Sequence, residues 1–384
     1  MVQYKHLKMA TKQEILGQYF TKKEIVSRLL DLVFSYKKLP KTAKILEPSA
    51  GTGNFVSELK NLGYKNIMEC EIDPALTKHP QDFFNLPLGE KFDLIVGNPP
   101  FTKYNLLDSY YRPARYASFP VPYSTYLPSK IGNREKEKIE NAFIHKSLKH
   151  LKNSDSTIGY ILPVSFFIKN KNRLLKSQLV EKFQTIIIYQ NDAIWFDRNI
   201  PCCFLILTNS KEHAKKIICI YENGHKNVQS FGLEKIHDEL IPKVIFNKAK
   251  NADHNAGGAP LSNYLELATV RVKKSFTQNN ISAKNITQHL TIPARGDIEN
   301  YKLAVVRVGN SSVGKTGFIN PQADILNDMF YVFDFKPKYN SNRKIKEKIC
   351  QQINENREYF KDISCRVGSK SIKKEDLLNL RVWI

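Results

Sequence analysis

A rigid turn that could hold a nucleophile lies at Asn98-Pro99-Pro100-Phe101. An apolar run that ends at Gly97 leads directly into two prolines, which cannot continue a strand and which restrict the backbone at its exit. A polar side chain at such a point is held firmly at the edge of a sheet. The tetrapeptide alone could also be a purely structural turn, so the segments before it decide between these interpretations.

Two earlier segments offer groups that could bind a small molecule. Glu47-Pro48-Ser49-Ala50-Gly51-Thr52-Gly53 follows an apolar run and precedes a helical stretch, so its glycines allow close backbone approach and the helix supplies free N–H groups. About 20 residues later, Glu71 ends the next apolar run, where an acid can bind both ribose hydroxyls or simply face water. The loop lacks a Walker-type phosphate cradle, which favours S-adenosylmethionine over a dinucleotide.

The elements that must position these residues follow from hydrophobic periodicity. Short apolar runs alternate with amphipathic stretches, which predicts an open α/β sheet. The predicted strands are 43–46, 66–71, 92–96, 157–162, 185–189, 202–207 and 217–221. The predicted helices are about 22–35, 54–61, 136–151 and 172–181, the first of them starting at a capping-box pattern, Thr21 to Glu24. A short polar break between the last two strands predicts an antiparallel hairpin.

Composition and length indicate a two-domain protein with a polyanionic partner. The formal net charge of +22 over 384 residues favours a polyanionic partner, although a surface that is simply rich in lysine would also explain this charge. A polar, glycine-containing stretch at 247–260 predicts a linker between residues 1–246 and 261–384. The six cysteines show no zinc-binding spacing, so we expect no metal and a reducing, cytoplasmic setting. No secretory leader or membrane span is predicted.

Three motifs in one order resemble a known enzyme family. Gly17-Gln18-Tyr19-Phe20-Thr21, then Leu46 to Phe55, then Asn98 to Phe101 are similar to the motifs of the γ-type N6-adenine DNA methyltransferases of type II restriction–modification systems. The resemblance covers about residues 15–210. It implies a seven-stranded Rossmann-like sheet, S-adenosylmethionine as cofactor, and double-stranded DNA as substrate. The second domain would be a smaller α+β target-recognition domain, and any restriction endonuclease would be a separate protein.

The resemblance also implies a site, residue by residue. The expected catalytic residues are Asn98, Pro99, Phe101 and Phe196. The expected cofactor-binding residues are Tyr19, Phe20, Thr21, Glu47, Pro48, Ser49, Ala50, Gly51, Gly53, Glu71, Ile72, Asp82, Phe83, Asn98 and Pro100. Phe101 replaces the tyrosine that is more common in the family motif. Phe196 could alternatively be an ordinary core residue.

Because the target amine lies inside a duplex, this activity requires base flipping and a firm hold on the DNA backbone. Lys103, Tyr104, Arg112 and Arg115 begin a stretch that interleaves aromatic and basic residues, which predicts DNA contacts. Gly309 to Thr316 matches a phosphate-loop pattern, but Gly317 and Pro321 would interrupt the helix that such a loop must start. We therefore predict a glycine-rich hairpin that carries Lys315 toward DNA.

Other functions share parts of this pattern. An RNA adenine or a protein glutamine could present its amine to the same Asn-Pro-Pro-aromatic turn. A non-catalytic DNA-binding module with a degenerate cofactor fold is a further alternative, although the presence of both Asn98 and Glu71 disfavours it.

Overall fold

A computed structural model describes residues 16–102, 138–209, 215–254, 256–268, 281–322, 324, 329–364 and 370–384. The chain divides into two compact units, Met1–Pro242 and Lys243–Ile384. Among the described residues, no helix is both long and apolar enough to cross a membrane. No group of three or more His, Cys, Asp or Glu side chains in the described ranges is arranged to hold a metal ion.

The first unit is built on a mixed sheet of eight strands in the order β2-β1-β3-β4-β6-β5-β7-β8. Strands β1 to β4 are parallel, whereas β6 runs antiparallel to both β4 and β5. The strands are β1 Ile45–Glu47, β2 Ile67–Glu69, β3 Leu94–Gly97, β4 Thr157–Pro163, β5 Thr185–Asn191, β6 Cys202–Thr208, β7 Lys216–Glu222 and β8 Lys226–Gly232. The α/β class is confirmed, with one strand more than the seven predicted.

Helices cover the sheet because their apolar faces need burial. Helix α1 buries Ile25, Val26, Leu29, Leu30 and Val33 in the same core cluster as Ile45 of β1 and Leu94 of β3. Within the described residues of this unit, the α-helices are α1 Lys23–Tyr36, α2 Asn54–Asn61, α3 Ile139–His150 and α4 Arg173–Lys182. All four confirm the predicted helices to within a few residues.

Two local predictions in this unit were wrong. Strands β6 and β7 do not form a hairpin with each other, because β5 lies between them and β7 instead forms a hairpin with β8. Strand β8 was missed because, at the exposed edge of the sheet, it carries mostly polar side chains and no apolar run. The predicted capping box is also absent: residue 22 occupies the N-cap of α1, with no side-chain cap.

The second unit has its own antiparallel sheet, in the order β10-β13-β11-β12, which agrees with the predicted α+β class. Its strands are β9 Ala259–Pro260, β10 Leu265–Leu267, β11 Lys302–Val306, β12 Thr316–Ile319, β13 Phe330–Phe335 and β14 Arg381–Val382. Its helices are α5 Pro242–His254, α6 Pro337–Asn340, α7 Arg343–Glu355, α8 Arg357–Ile363 and α9 Lys374–Leu378.

The region 247–260 differs from the linker that its composition predicted. Helix α5 continues to His254, and Ala259–Pro260 pairs with β14, so much of the region has regular structure. Alanine and lysine are good helix formers, and here they outweigh the asparagines of the segment. The compact units divide at Pro242, several residues before the predicted boundary.

The glycine-rich segment 309–316 lies between two antiparallel strands. β11 pairs with β12, from Lys302 opposite Ile319 to Val305 opposite Thr316, and Gly314 N–H donates to the Val306 carbonyl. No helix begins at Thr316, so the hairpin prediction is confirmed and a phosphate loop is excluded.

Lys346 is a buried cation that holds the second unit together, and we expect its replacement to destabilise that unit. The ammonium donates to the Ile298 carbonyl at 2.7 Å, the Tyr301 carbonyl at 3.2 Å and Asn340 Oδ1 at 2.9 Å, and burial lowers its pKa to about 8. Lys346→Met would leave these acceptors without that donor and should lower the free energy of unfolding by about 1–3 kcal/mol in urea denaturation. Lys348→Met, at an exposed position of the same helix, should change it by less than about 0.5 kcal/mol. Equal effects of the two changes would contradict this role.

Candidate functional site

A pocket opens where three neighbouring parallel strands end. Pro48 follows β1, Glu71 follows β2 and Asn98 follows β3, and all three line the same cavity of about 820 Å³, which includes solvent at its mouth. Ligands of open α/β sheets bind at this edge because the loops after the strands diverge there. The wall consists of Leu16, Gly17, Gln18, Tyr19, Phe20, Thr21, Pro48, Ser49, Ala50, Gly51, Thr52, Asn54, Phe55, Glu71, Ile72, Asp82, Phe83, Phe84, Asn98, Pro100, Ile139 and Phe143.

The loop after β1 is held in a tight conformation by Glu71. Gly51 has a φ of +55°, and its N–H donates to Glu71 Oε2 at 2.7 Å. Glu71 Oε1 accepts from the N–H of Asp73 at 2.8 Å, so one carboxylate fixes two loops. A Cβ at Gly51 would lie 3.2 Å from the Phe20 ring, which therefore packs closely on the loop.

The Glu71 carboxylate keeps capacity to bind a ligand. Each of its oxygens has a further lone pair beyond the one used by the backbone. Burial raises the pKa of Glu71 above its ordinary value, and the N–H groups of Asp73 and Gly51 oppose that shift. The two carboxylate oxygens in the pocket wall could accept hydrogen bonds from two neighbouring hydroxyl groups. The assignment of Glu71 to the ribose stays a prediction, and this geometry permits it.

Asp82 and Phe83 lie in the pocket wall beside an aromatic cluster. Asp82 Oδ1 accepts from the Phe84 N–H at 2.9 Å and caps a short 3-10 helix, Phe83–Asn85. The rings of Phe83 and Phe84 each lie 5.1 Å from that of Phe143 on α3. This side of the pocket therefore offers flat apolar surface with one carboxylate at its edge, which suits an aminated aromatic ring.

The amide of Asn98 is oriented by one hydrogen bond. Its Nδ2 donates to the Tyr19 carbonyl at 2.6 Å, and since a carbonyl can only accept, the atom facing Tyr19 must be the nitrogen. The other amide atom, Oδ1, is buried and has no hydrogen-bond partner within the described part of the chain. Ser49 Oγ donates to the Asn98 carbonyl at 3.0 Å and holds the backbone as well. Among the described residues, the site thus contains a fixed acceptor without a donor.

Three aromatic rings lie next to the Asn98 turn. The Tyr19 ring centroid is 5.9 Å from that of Phe101 and 6.1 Å from that of Phe196, and the Phe101 and Phe196 centroids are 6.1 Å apart. Phe196 is only 1% exposed and belongs to the core cluster of the first unit. Its ring meets Phe101 edge to face, so Phe196 can support Phe101 even though it lies deeper than predicted.

Most of the predicted site residues meet in this pocket. The structure does not include Glu47 and Gly53 in the pocket wall: Glu47 is buried beside β3, and Gly53 is the N-cap of α2. Pro99, Phe101 and Phe196 are also absent from the wall, although Phe101 and Phe196 contact Tyr19. The predicted DNA contacts Lys103, Tyr104, Arg112 and Arg115 lie outside the described residues. Lys315 lies in the second unit, in the β11–β12 hairpin.

Several wall residues were not predicted as site residues. Ile139 and Phe143 are four residues apart on α3, so their helical spacing could have identified a face, but not what the face would cover. Asn54 Nδ2 donates to the Thr21 carbonyl at 2.7 Å and ties α2 to the segment before α1. The remaining unpredicted wall residues are Leu16, Gly17, Gln18, Thr52, Phe55 and Phe84.

Three observations indicate that the pocket can hold S-adenosylmethionine. Thr21 Oγ1 is buried with no partner among the described residues, which leaves a polar group for the methionine part. Gly51 lets the loop backbone approach a ligand, and Glu71 offers acceptors to a ribose. Phe83 and Ile72 supply apolar surface for an adenine ring. These groups all line the same pocket.

Comparison with known proteins identifies the class. Residues 18–196 match the family model of the Eco57I restriction-modification methylase. This range contains most of the pocket wall and Phe196. Residues 18–196 are therefore similar to the methyltransferase domains of restriction–modification systems, and the cofactor is S-adenosylmethionine.

Individual relatives are similar to this chain over part of its length. The Type II methyltransferase M.HincII of Haemophilus influenzae is 30% identical over 192 residues, which are 48% of this chain and 36% of that protein. The Type II methyltransferase M.CvrRI of Paramecium bursaria Chlorella virus XZ-6E is 38% identical over 97 residues, 22% of this chain and 24% of that protein. The matched region thus covers little more than a third of the first relative. The solved Type IIL restriction-modification enzyme MmeI, in complex with DNA, is 10% identical with a TM-score of 0.49, over 96% of this chain and 68% of that chain.

Because Glu71 fixes the cofactor loop, its removal should weaken cofactor binding. Glu71→Ala releases the N–H groups of Gly51 and Asp73 and removes the acceptors in the wall, so we expect the Kd for S-adenosylmethionine to rise at least about tenfold, about 1.4 kcal/mol, by titration calorimetry. Glu69→Ala changes an exposed carboxylate two residues away and should leave the Kd within about twofold. An unchanged Kd in Glu71→Ala would show that the loop does not depend on this carboxylate.

Proposed function

We propose that this protein transfers a methyl group from S-adenosylmethionine to the N6 amine of a flipped-out adenine in a specific double-stranded DNA sequence. The observation that carries the proposal is the Asn98 amide, whose Oδ1 is a fixed, buried acceptor without a donor among the described residues. Such an acceptor beside a methyl-donor pocket suits a substrate that carries an amine. The proposal includes membership of the γ-type adenine enzymes, which the motif order supports.

The chemistry of an aromatic amine explains why the turn has this form. An adenine amine is a poor nucleophile because its lone pair is delocalised into the ring. When Asn98 Oδ1 and the Pro99 carbonyl accept its two N–H bonds, they draw the nitrogen toward a tetrahedral shape and stabilise the positive charge that develops on it. Since the Asn98 amide is already held by the Tyr19 carbonyl, its Oδ1 needs no reorganisation during the reaction. S-adenosylmethionine, when bound, supplies the methyl group from a sulfonium centre.

The aromatic rings support an assignment of Phe101 to the target base. Phe101 follows the two prolines, and its ring packs against the rings of Tyr19 and Phe196. A braced ring can stack on a planar base without rearrangement, and stacking does not need the hydroxyl of the tyrosine more common in the family motif. We propose that Phe196 acts by supporting Phe101, because it is almost completely buried.

We propose DNA as the substrate because of the net positive charge of the chain and its similarity to Type II methyltransferases. A net charge of +22 favours a polyanion, and the first relatives are named Type II methyltransferases. The second unit, with a sheet of its own, is the proposed target-recognition domain, in which Lys315 of the hairpin would contact DNA. Lys103, Tyr104, Arg112 and Arg115 remain proposed contacts of the first unit. A separate cognate restriction endonuclease is the proposed partner in the cell.

Incubation with labelled S-adenosylmethionine and either duplex DNA or RNA, followed by nucleoside mass spectrometry, tests the substrate and its atom together. We expect N6-methyladenine in the DNA and no methylated nucleoside in the RNA. Methylation of RNA alone would favour the RNA alternative, and N4-methylcytosine would contradict the adenine assignment. Label in protein alone would point to a glutamine substrate.

The role of Asn98 predicts a separation of binding from turnover. Asn98→Ala removes the acceptor, so kcat should fall at least about 100-fold, whereas the Kd values for cofactor and DNA should change by less than about fivefold. Single-turnover kinetics and equilibrium binding measure the two effects. Asn61→Ala, at an exposed position at the end of α2, is the matched control and should retain normal turnover. Normal turnover in Asn98→Ala would refute the proposed chemistry.

A further inference from the structure

Glu47 has an environment that its predicted role in cofactor binding does not explain. It ends β1, is 1% exposed and is absent from the pocket wall. Its carboxyl lies against the backbone of β3: a Cβ at Gly97 would be 2.1 Å from Glu47 Oε1 and 2.5 Å from Oε2. Residue 97 must therefore be glycine for the carboxyl to occupy this place. Gly97 directly precedes Asn98.

A chain of hydrogen bonds leads from this carboxyl to Asn98. Glu47 Oε1 accepts from Ser49 N–H at 3.0 Å and lies 3.4 Å from Ser49 Oγ. Ser49 Oγ donates to the Asn98 carbonyl at 3.0 Å. The carboxyl thus contacts the residue before Asn98 directly and reaches the Asn98 backbone through Ser49. Tyr19 completes the arrangement by holding the Asn98 amide nitrogen.

The protonation state of Glu47 is better suited to donating a hydrogen bond within the protein than to binding a cofactor. Burial raises the pKa of Glu47 to about 8, opposed by Ser49, and the neighbouring carboxylates Glu71 and Glu69 add to the increase. Near neutral pH the group is therefore mostly the uncharged acid, whose O–H can donate while the other lone pairs accept from Ser49. Cys70 and Tyr160 also interact electrostatically with this carboxyl, and burial raises the pKa of each, so both stay uncharged near neutral pH.

We propose that Glu47 is a positioning residue for methyl transfer, which fixes Asn98 through Gly97 and Ser49 and does not contact the cofactor. This inference rests on the proposed function of Asn98. A small displacement of an acceptor can reduce turnover strongly while ligand binding persists, because the transition state requires closer alignment than the ground state. The carboxyl would thus control turnover from outside the pocket.

Substitutions at Glu47 separate positioning from cofactor contact. Glu47→Ala should lower single-turnover kcat at least about tenfold and leave the Kd for S-adenosylmethionine within about threefold. Glu47→Gln keeps an acceptor for Ser49 and an N–H donor in the place of the acid, so it should recover most of the turnover lost in Glu47→Ala. Glu69→Gln, on the exposed end of β2, is the control for a lost carboxylate nearby. A raised Kd with unchanged kcat in Glu47→Ala would overturn the proposal.

Gly97 provides a second test that does not rely on the charge of Glu47. Gly97→Ala introduces a methyl group into the space of the carboxyl, so it should lower both the melting temperature and kcat. Combining it with Glu47→Ala removes the clash and should restore the melting temperature but not kcat, because Ser49 still lacks its acceptor. Recovery of both would show that the carboxyl only fills space and would overturn the proposal.

A pH profile adds a readout that a space-filling role would not affect. As pH rises through about 8, the buried acid of the wild type ionises next to Gly97, so turnover should decline more in the wild type than in Glu47→Gln. Glu69, Glu71, Cys70 and Tyr160 are present in both proteins, so the difference between the profiles isolates Glu47. Identical profiles would contradict the proposal. If the wild type instead methylates no adenine, the proposed function itself fails, whatever the variants do.

Discussion

The hydrogen bond from Asn98 Nδ2 to the Tyr19 carbonyl determines what the site can do. An asparagine amide has one donor end and one acceptor end, and a carbonyl on one side decides which end faces the other. Here it leaves Oδ1 buried without a donor among the described residues, which costs free energy unless a ligand supplies an N–H group. On the proposed function, this acceptor is in place before the substrate amine binds. This fixed acceptor is the link between the local geometry and the proposed methyl transfer.

The sheet brings the partners of this bond together from distant parts of the sequence. Tyr19 lies before α1, Ser49 follows β1 and Asn98 follows β3, and parallel pairing of β1 with β3 places the latter two at one edge. Helix α3 closes the far side of the pocket with Ile139 and Phe143. Gly97 allows the Glu47 carboxyl to pack directly on the strand that carries Asn98. Binding of the cofactor and presentation of the amine acceptor thus depend on the same two loops.

The sequence predicted the elements of this fold well and their arrangement less completely. The pattern of apolar runs located β1 to β7, because buried parallel strands are continuously apolar. It missed β8, whose edge position removes that pattern, and it paired β6 with β7, because chain proximity does not show that β5 lies between them. At 247–260 the asparagines and glycines suggested a linker, yet helix formers extend α5 through the first half. Thr21 to Glu24 resembled a capping box, but Thr21 lines the pocket, and its hydroxyl has no hydrogen-bond partner among the described residues.

For the site, motifs were more informative than periodicity. Thirteen of the fifteen predicted cofactor residues line the pocket; of the two exceptions, Glu47 accepts from the Ser49 N–H and Gly53 is the N-cap of α2. No spacing rule could show that residue 97 must be glycine to accommodate the Glu47 carboxyl, since that contact joins two strands.

The most direct test of the central claim is a structure of the protein with its DNA and an unreactive cofactor analogue. We predict the target adenine N6 at about 2.7–3.2 Å from Asn98 Oδ1. An adenine bound with its amine directed away from Asn98 would contradict the account.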